Sequence, residues 1–288
     1  MNIAIGPSYK WPSWKWCAED LIPDLQKHHH VEIFNQYNEL EKKHFDLLVC
    51  MKFPPPASLS LTTNKIIYFP IDHFKKVSDI DNHSNFLQKC NIVAVHCDRL
   101  SKYLNPYCRH IEFVEHYSKY ALSNPTKYNP SGIVLWIGVY TYVPSLKEWY
   151  DRKPRTLKIV GLSNHLKKIN SHHGISIRTW TEDLQQKYFE KAKAGLDIKG
   201  DAFIRLIKPP TKAQQFIASG IPTAVDRESY SWEYFHKQGL DLADPDDEER
   251  WFSQSYWKET HDFVPKLREL TSKDNVVKKY LQLIEYMS

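Results

Sequence analysis

Lys208-Pro209-Pro210-Thr211-Lys212-Ala213-Gln214-Gln215-Phe216-Ile217-Ala218-Ser219-Gly220-Ile221-Pro222-Thr223-Ala224-Val225 reads as a loop, a short helix, a tight stop and a buried strand. The paired prolines keep the approach extended, because a residue before proline is pushed out of the α region. Thr211 and Gln214 have the Thr-x-x-Gln spacing of a capping box, so a helix is expected to start at Thr211. Gly220 can adopt the left-handed conformation that ends a helix, and Pro222 cannot continue one, so the chain must leave into Thr223-Ala224-Val225. The backbone N–H groups at such a helix start, with Lys208 and Lys212 beside them, make an anion site suited to phosphate. The plainer reading is an amphipathic helix that packs Phe216 and Ile217 and leaves its lysines solvated.

Working outward, a length of 288 residues favours about two domains, since single cores stop growing near 250–300 residues. The chain is 42% hydrophobic and 25% charged, the profile of a globular protein, with nine Trp and seventeen Tyr available for the core or for stacking on sugars and bases. A formal charge of +5 without a basic cluster argues against nucleic acid. It suits an anionic small ligand or a peripheral association with an acidic membrane surface. Five cysteines, all in the first half and none in a close pair, imply reduced thiols. The opening Met-Asn-Ile-Ala-Ile-Gly has no basic region followed by an apolar one, and no run reaches the ~18 apolar residues of a membrane helix, so a soluble cytoplasmic protein is expected.

The first half contains short apolar runs at Asn2–Gly6, Val31–Phe34, Phe45–Cys50, Lys65–Pro70, Asn91–His96 and Ile111–Val114. Near-continuous runs of this length, spaced widely enough for crossovers, predict parallel strands covered on both faces. A helix is expected over Ala18–His28, and the loop before it carries Trp11, Trp14 and Trp16. His28-His29-His30 looks like a metal tract, but consecutive residues point in different directions, and a complement to the helix C-terminal dipole is the better reading. The polar segment 123–132, with Pro125, Pro130 and Gly132, marks a linker. The pattern then restarts: strands at Ile133–Gly138, Leu157–Gly161, Ile175–Arg178 and Gly195–Ile198, with helices at Ser145–Asp151 and Glu182–Ala192. Domains are therefore expected at 1–126 and 127–270, with a terminal helix in 271–288 packing back on the first domain. Asp244 and Asp246 form an Asp-x-Asp pattern that invites a divalent ion, but acidic residues also favour the first turn of a helix, and one is expected here.

The order of these pieces resembles the glycosyltransferases of GT-B architecture, and among them the large family 4 group. The resemblance is carried by Gly138, by Val160-Gly161, by Pro210-Thr211-Lys212 leading through Gln215 and Ala218 to Gly220-Ile221-Pro222, and by the segment Gly239–Pro245. It covers most of the second half well and the first half as a general pattern. It implies an α/β fold of two Rossmann-like domains facing a cleft, and a hexosyltransferase that uses a nucleoside-diphosphate sugar as donor without a metal or other cofactor. The acceptor it leaves open: a glycan, a lipid or a small molecule. It places Thr211 and Lys212 at the donor phosphates, with Arg205 or Lys208 as the source of a further basic charge, Gly138 among the donor-binding residues, Gln215 where the family's ribose-binding glutamate stands, and Trp180 near the base. The sequence departs from the pattern at Ile207, where a second glutamate is usual, and at Val139, where a basic residue is usual.

In the first half, Asp72 and His73 follow an apolar run at a strand end, where a carboxylate or imidazole can take a proton from an acceptor hydroxyl; His116 is a weaker candidate of the same kind. Two rivals share the architecture: an epimerase or hydrolase that turns over donor without acceptor, and a non-catalytic nucleotide-sugar-binding protein, which Ile207 favours.

Overall fold

The computed structural model describes the chain except residues 11, 42, 60–62, 153–155, 165–170 and 173, so Trp11 lies outside the described residues. The chain divides into two compact units, Met1–Tyr117 with Thr271–Ser288, and Ser118–Leu270.

The first unit is built on six strands: β1 (Asn2–Gly6), β2 (His30–Ile33), β3 (Leu47–Met51), β4 (Ile66–Phe69), β5 (Ile92–Val95) and β6 (Ile111–Phe113). Their order is β2-β1-β3-β4-β5-β6, and every pairing is parallel. The apolar runs explain this directly. All residues of β3, β4 and β5 are buried, as strands covered on both faces require. The expected helix over Ala18–His28 is instead a π-helical turn at Lys15–Glu19 followed by the short helix Ile22–Leu25. Pro23 accounts for the break: it lacks an N–H and sits comfortably only in a first turn, which is where the second helix places it.

The terminal helix, Lys273–Tyr286, is capped by Ser272, whose hydroxyl accepts from the Asn275 N–H. It joins the first unit as expected. Val276, Val277, Leu283 and Ile284 are buried in the same cluster as Ile3, Ile5 and Leu25. Each such burial contributes about 1.5–3 kcal/mol. The Tyr280 ring stacks on Phe69 at 4.9 Å, and its hydroxyl donates to the Cys17 carbonyl at 2.7 Å.

The second unit carries β7 (Ile133–Val139), β8 (Ile159–Asn164), β9 (Ser171–His172), β10 (Ile175–Thr179), β11 (Ala192–Asp197) and β12 (Thr223–Val225), in the order β12-β11-β7-β8-β10-β9. All pairings are parallel except the short β9 on β10. The helix expected to reach Ala192 stops at Phe189, because Ala192 already pairs with Ile133. Residues 118–126 cluster with this unit. Arg268 donates to the carbonyls of Leu122 (2.6 Å), Ser123 (2.7 Å) and Ala218 (2.8 Å), and the Thr126 N–H donates to the Ser219 carbonyl at 2.8 Å. Arg268 sits in a long helix, Gln254–Leu270, that follows the acidic segment.

Candidate functional site

The helix Thr211–Ala218 forms where the sequence places it, and Gly220, at φ +72°, ends it in the left-handed conformation. Its start differs from the capping-box expectation. Pro210 is the N-cap residue and no side chain caps the helix. Thr211 is already helical, so its hydroxyl cannot reach forward as an N-cap side chain does. Phe216 and Ile217 pack as the amphipathic reading expects, but the helix has no solvated face: Thr211, Gln214 and Gln215 are buried as well, and Lys212 is half-buried.

Beside this helix lies a polar network at the carboxyl ends of β11 and β12. Asp197 and Lys199 are both buried and meet at 2.9 Å. The Lys199 ammonium also donates to Ser231 Oγ at 3.0 Å, and Ser231 in turn donates to Asp197 at 3.3 Å. The Asp226 carboxylate accepts the Lys199 N–H at 3.0 Å, while burial raises its pKa. Gly200 follows at φ +80°, a conformation that glycine alone adopts without strain. Lys199, Asp226 and Ser231 were not singled out from the sequence. They come from three separate elements, and only the fold assembles them.

Lys212 is half-buried. Burial is the main force on its ammonium and pulls its pKa down to about 8, with Lys199 and Lys208 adding repulsion and Asp197 partly opposing them. Arg205 is committed to the protein. Its guanidinium donates to Ser145 Oγ (2.9 Å), the Lys199 carbonyl (3.0 Å) and the Thr141 carbonyl (3.3 Å), and lies 5.0 Å from the centre of the Tyr142 ring. It therefore ties the loop after β7 to the loop after β11. Gly138, at the end of β7, lies against the Trp136 ring, where a Cβ would come within 2.3 Å of Cζ2. Close approach of that ring is what demands a glycine.

Trp180 and Gln215, far apart in sequence, join one chain of hydrogen bonds. Trp180 Nε1 donates to Gln185 Oε1 at 2.7 Å, and Gln185 Nε2 donates to Gln215 Oε1 at 3.1 Å. Gln215 is buried, its carbonyl acceptor is taken by Gln185, and its Nε2 has no partner among the described residues. Ile207 is buried as well, which fits an apolar side chain at that position. The Asp-x-Asp segment makes a turn: Asp244 pairs with Arg227 at 2.9 Å, and Asp246 accepts from Trp149 Nε1 at 3.1 Å. Asp247 then caps the helix Glu248–Trp251.

In the first unit, Asp72 and His73 follow β4. Asp72 has φ +49°, an uncommon backbone for a residue other than glycine. The His73 ring packs edge-on against Phe74, and its Nε2 lies 3.3 Å from Nε2 of His83. Burial first, then the neighbouring His83 and Lys52, lower its pKa to about 4, so it is a neutral imidazole and a weak base near neutrality. Lys52, after β3, is buried at φ +68°, with its ammonium 5.6 Å from the centre of the Tyr9 ring. Cys17, His96 and His116 lie close together among the segments that follow β1, β5 and β6.

Two six-stranded α/β sheets, parallel apart from β9, with this connectivity constitute the GT-B glycosyltransferase fold. Comparison with solved structures bears this out at low identity. The Anabaena protein Alr3699/HepE, solved with UDP and glucose, matches with a TM-score of 0.64 at 9% identity over 99% of each chain. AviGT4, a glycosyltransferase of avilamycin A biosynthesis, matches with a TM-score of 0.63 at 9% identity over 99% of this chain and 97% of its own. A Listeria monocytogenes structure assigned as a UDP-N-acetylglucosamine 2-epimerase matches less well, with a TM-score of 0.52 at 9% identity, over 99% of this chain and 95% of its own. No family model and no curated protein sequence matches. Among the described residues, no helix is long and apolar enough to cross a membrane.

Proposed function

We propose that the chain is a glycosyltransferase that moves a sugar from a nucleoside-diphosphate sugar to a glycan, lipid or small-molecule acceptor, with no metal at the diphosphate. The observation that carries this reading is the start of the helix Thr211–Ala218. It has no side-chain cap, and Lys212 beside it is held partly desolvated next to the Asp197–Lys199 network. Backbone N–H groups and a desolvated ammonium form a fixed positive site for the charge that develops on a leaving diphosphate.

In this reading Thr211, Lys212 and Lys208 hold the phosphates. Arg205 and Gly138 shape the two loops around them, since the Arg205 donors are already committed to Ser145, Thr141 and Lys199. Trp180 offers a half-buried ring for the base, and Gln185, held in turn by Gln215, anchors its indole N–H. Asp72 is the better of the two acceptor-side candidates. His73 is a weak base near neutrality, which leaves Asp72 as the acceptor-side group.

The test is a thermal-shift series with UDP and GDP, with and without magnesium, followed by donor turnover with and without acceptor pools. A bound diphosphate raises the unfolding temperature by mass action, with or without magnesium. The reading fails if neither nucleotide shifts unfolding, or if Lys212→Ala leaves the shift unchanged. Turnover of donor with no acceptor present would instead favour the epimerase or hydrolase, which shares this fold.

A further inference from the structure

We propose that Cys17, His96 and His116 form a site for one zinc-type divalent cation in the first unit. One thiol sulfur and two imidazole nitrogens from these residues lie within 4.8 Å of one another, and all three residues are buried. Cys17 Sγ is 3.7 Å from His116 Nε2. A tetrahedral ion with bonds of about 2.3 Å to sulfur and about 2.05 Å to nitrogen holds such a pair about 3.6 Å apart, so this edge of the site is already at coordination distance. With all ligand atoms within 4.8 Å of one another, the remaining edges close by about 1.5 Å or less on the same geometry.

His96 supplies the independent observation. Its Nδ1 lies 2.6 Å from the Val114 carbonyl, which can only accept, so Nδ1 carries the hydrogen and Nε2 carries a lone pair. That Nε2 is buried and has no hydrogen-bond partner among the described residues. A histidine whose one nitrogen donates to a backbone carbonyl while the other offers its lone pair is arranged as metal-ligating histidines are. A thiol donating to His116 accounts for Cys17 and His116 without an ion, but it leaves the His96 lone pair unexplained.

The donor set selects the ion. One thiolate and two imidazoles suit zinc and disfavour calcium or magnesium, which take oxygen ligands. Asp72 and Lys52 are both in electrostatic reach of Cys17 and act with opposite sign, and Asp72 also reaches His96. Three protein ligands leave one tetrahedral position for water. On binding, the Cys17 S–H bond breaks, its proton goes to solvent and the sulfur bonds to the ion, with no change in oxidation state. The ion would pin three segments of the first unit together: the turn Lys15–Glu19, the end of β5 and the stretch after β6. This proposal is independent of donor binding, which involves residues of the second unit.

The experiment uses untagged full-length protein, stripped with a chelator and titrated with cobalt(II) as a spectroscopic stand-in for zinc. The expected result is one equivalent bound, tetrahedral d–d bands in the visible, a thiolate-to-cobalt charge-transfer band in the near ultraviolet, and about one proton released per ion. Zinc displaces the cobalt, and Cys17→Ser abolishes the charge-transfer band. Replacing His28, His29 and His30 together with alanine leaves the spectrum unchanged. Should Cys17→Ser not fold, His116→Gln is expected to weaken cobalt binding at least tenfold. The site is refuted by no cobalt binding, by an octahedral spectrum without the thiolate band, by a spectrum that survives Cys17→Ser or is lost with the histidine triplet, or by unchanged affinity in His116→Gln.

Discussion

Lys199 and Asp197 form a buried ion pair at 2.9 Å at the carboxyl end of β11, and the same lysine holds Ser231 with its side chain and Asp226 with its backbone N–H. The Arg205 guanidinium closes on the Lys199 carbonyl from the other side. The loop beside the helix Thr211–Ala218 is thus held by side chains from four elements.

That arrangement predicts an asymmetry. Lys199→Met leaves Asp197 buried without its counter-charge and should destabilise the protein by about 3–5 kcal/mol. The double variant Asp197→Leu with Lys199→Met removes both charges and should lose less than the single variant. Urea unfolding of the three proteins measures the difference. A double variant that loses more than Lys199→Met would show that the pair itself, rather than the stranded charge, dominates.

Gly138→Ala tests the second constraint around the same loops. The added methyl would meet the buried Trp136 ring at 2.3 Å, far inside contact distance, and that ring packs within the sheet core. Overpacking of this kind typically costs about 1–3 kcal/mol, so the unfolding temperature should fall by several degrees. Near-ultraviolet circular dichroism should change with it, because the tryptophan must move. An unchanged spectrum with unchanged stability would mean that the strand end yields instead of the ring.

Much of the fold was legible because burial on both faces leaves a direct trace in sequence. Leu47–Met51, Ile66–Phe69 and Ile92–Val95 are unbroken apolar runs, and each is a fully buried parallel strand. The stop at Gly220 was legible for a similar reason: only a residue tolerant of positive φ fits there. Other features depend on partners remote in sequence. Ala192 looks helical by propensity, yet its pairing with Ile133 makes it strand. Thr211 has capping chemistry, but Pro210 takes the cap position and draws the threonine into the helix. Candidate residues could be named from sequence where they lie close together in the chain, as Lys208, Thr211 and Lys212 do. Lys199, Asp226 and Ser231, or Cys17 with His96, carry no local pattern, since the sheet connectivity alone brings them together.

Lys212 yields the sharpest pH prediction. Its pKa in the free protein is drawn down from 10.5 to about 8, chiefly by burial. A bound diphosphate places negative charge beside it and raises that pKa again, so the bound state holds the proton that the free state loses. Affinity for UDP or GDP should therefore be steady below about pH 8 and weaken as pH rises through that value. Calorimetry at pH 8 in buffers of different ionisation enthalpy should show uptake of a fraction of a proton on binding. Lys212→Met should remove both the uptake and the pH dependence, and weaken binding about tenfold to a hundredfold, the size of a charge-assisted hydrogen bond of about 1.5–3 kcal/mol. If proton uptake persists in the methionine variant, another group titrates with the ligand, and Lys212 does not face the phosphates.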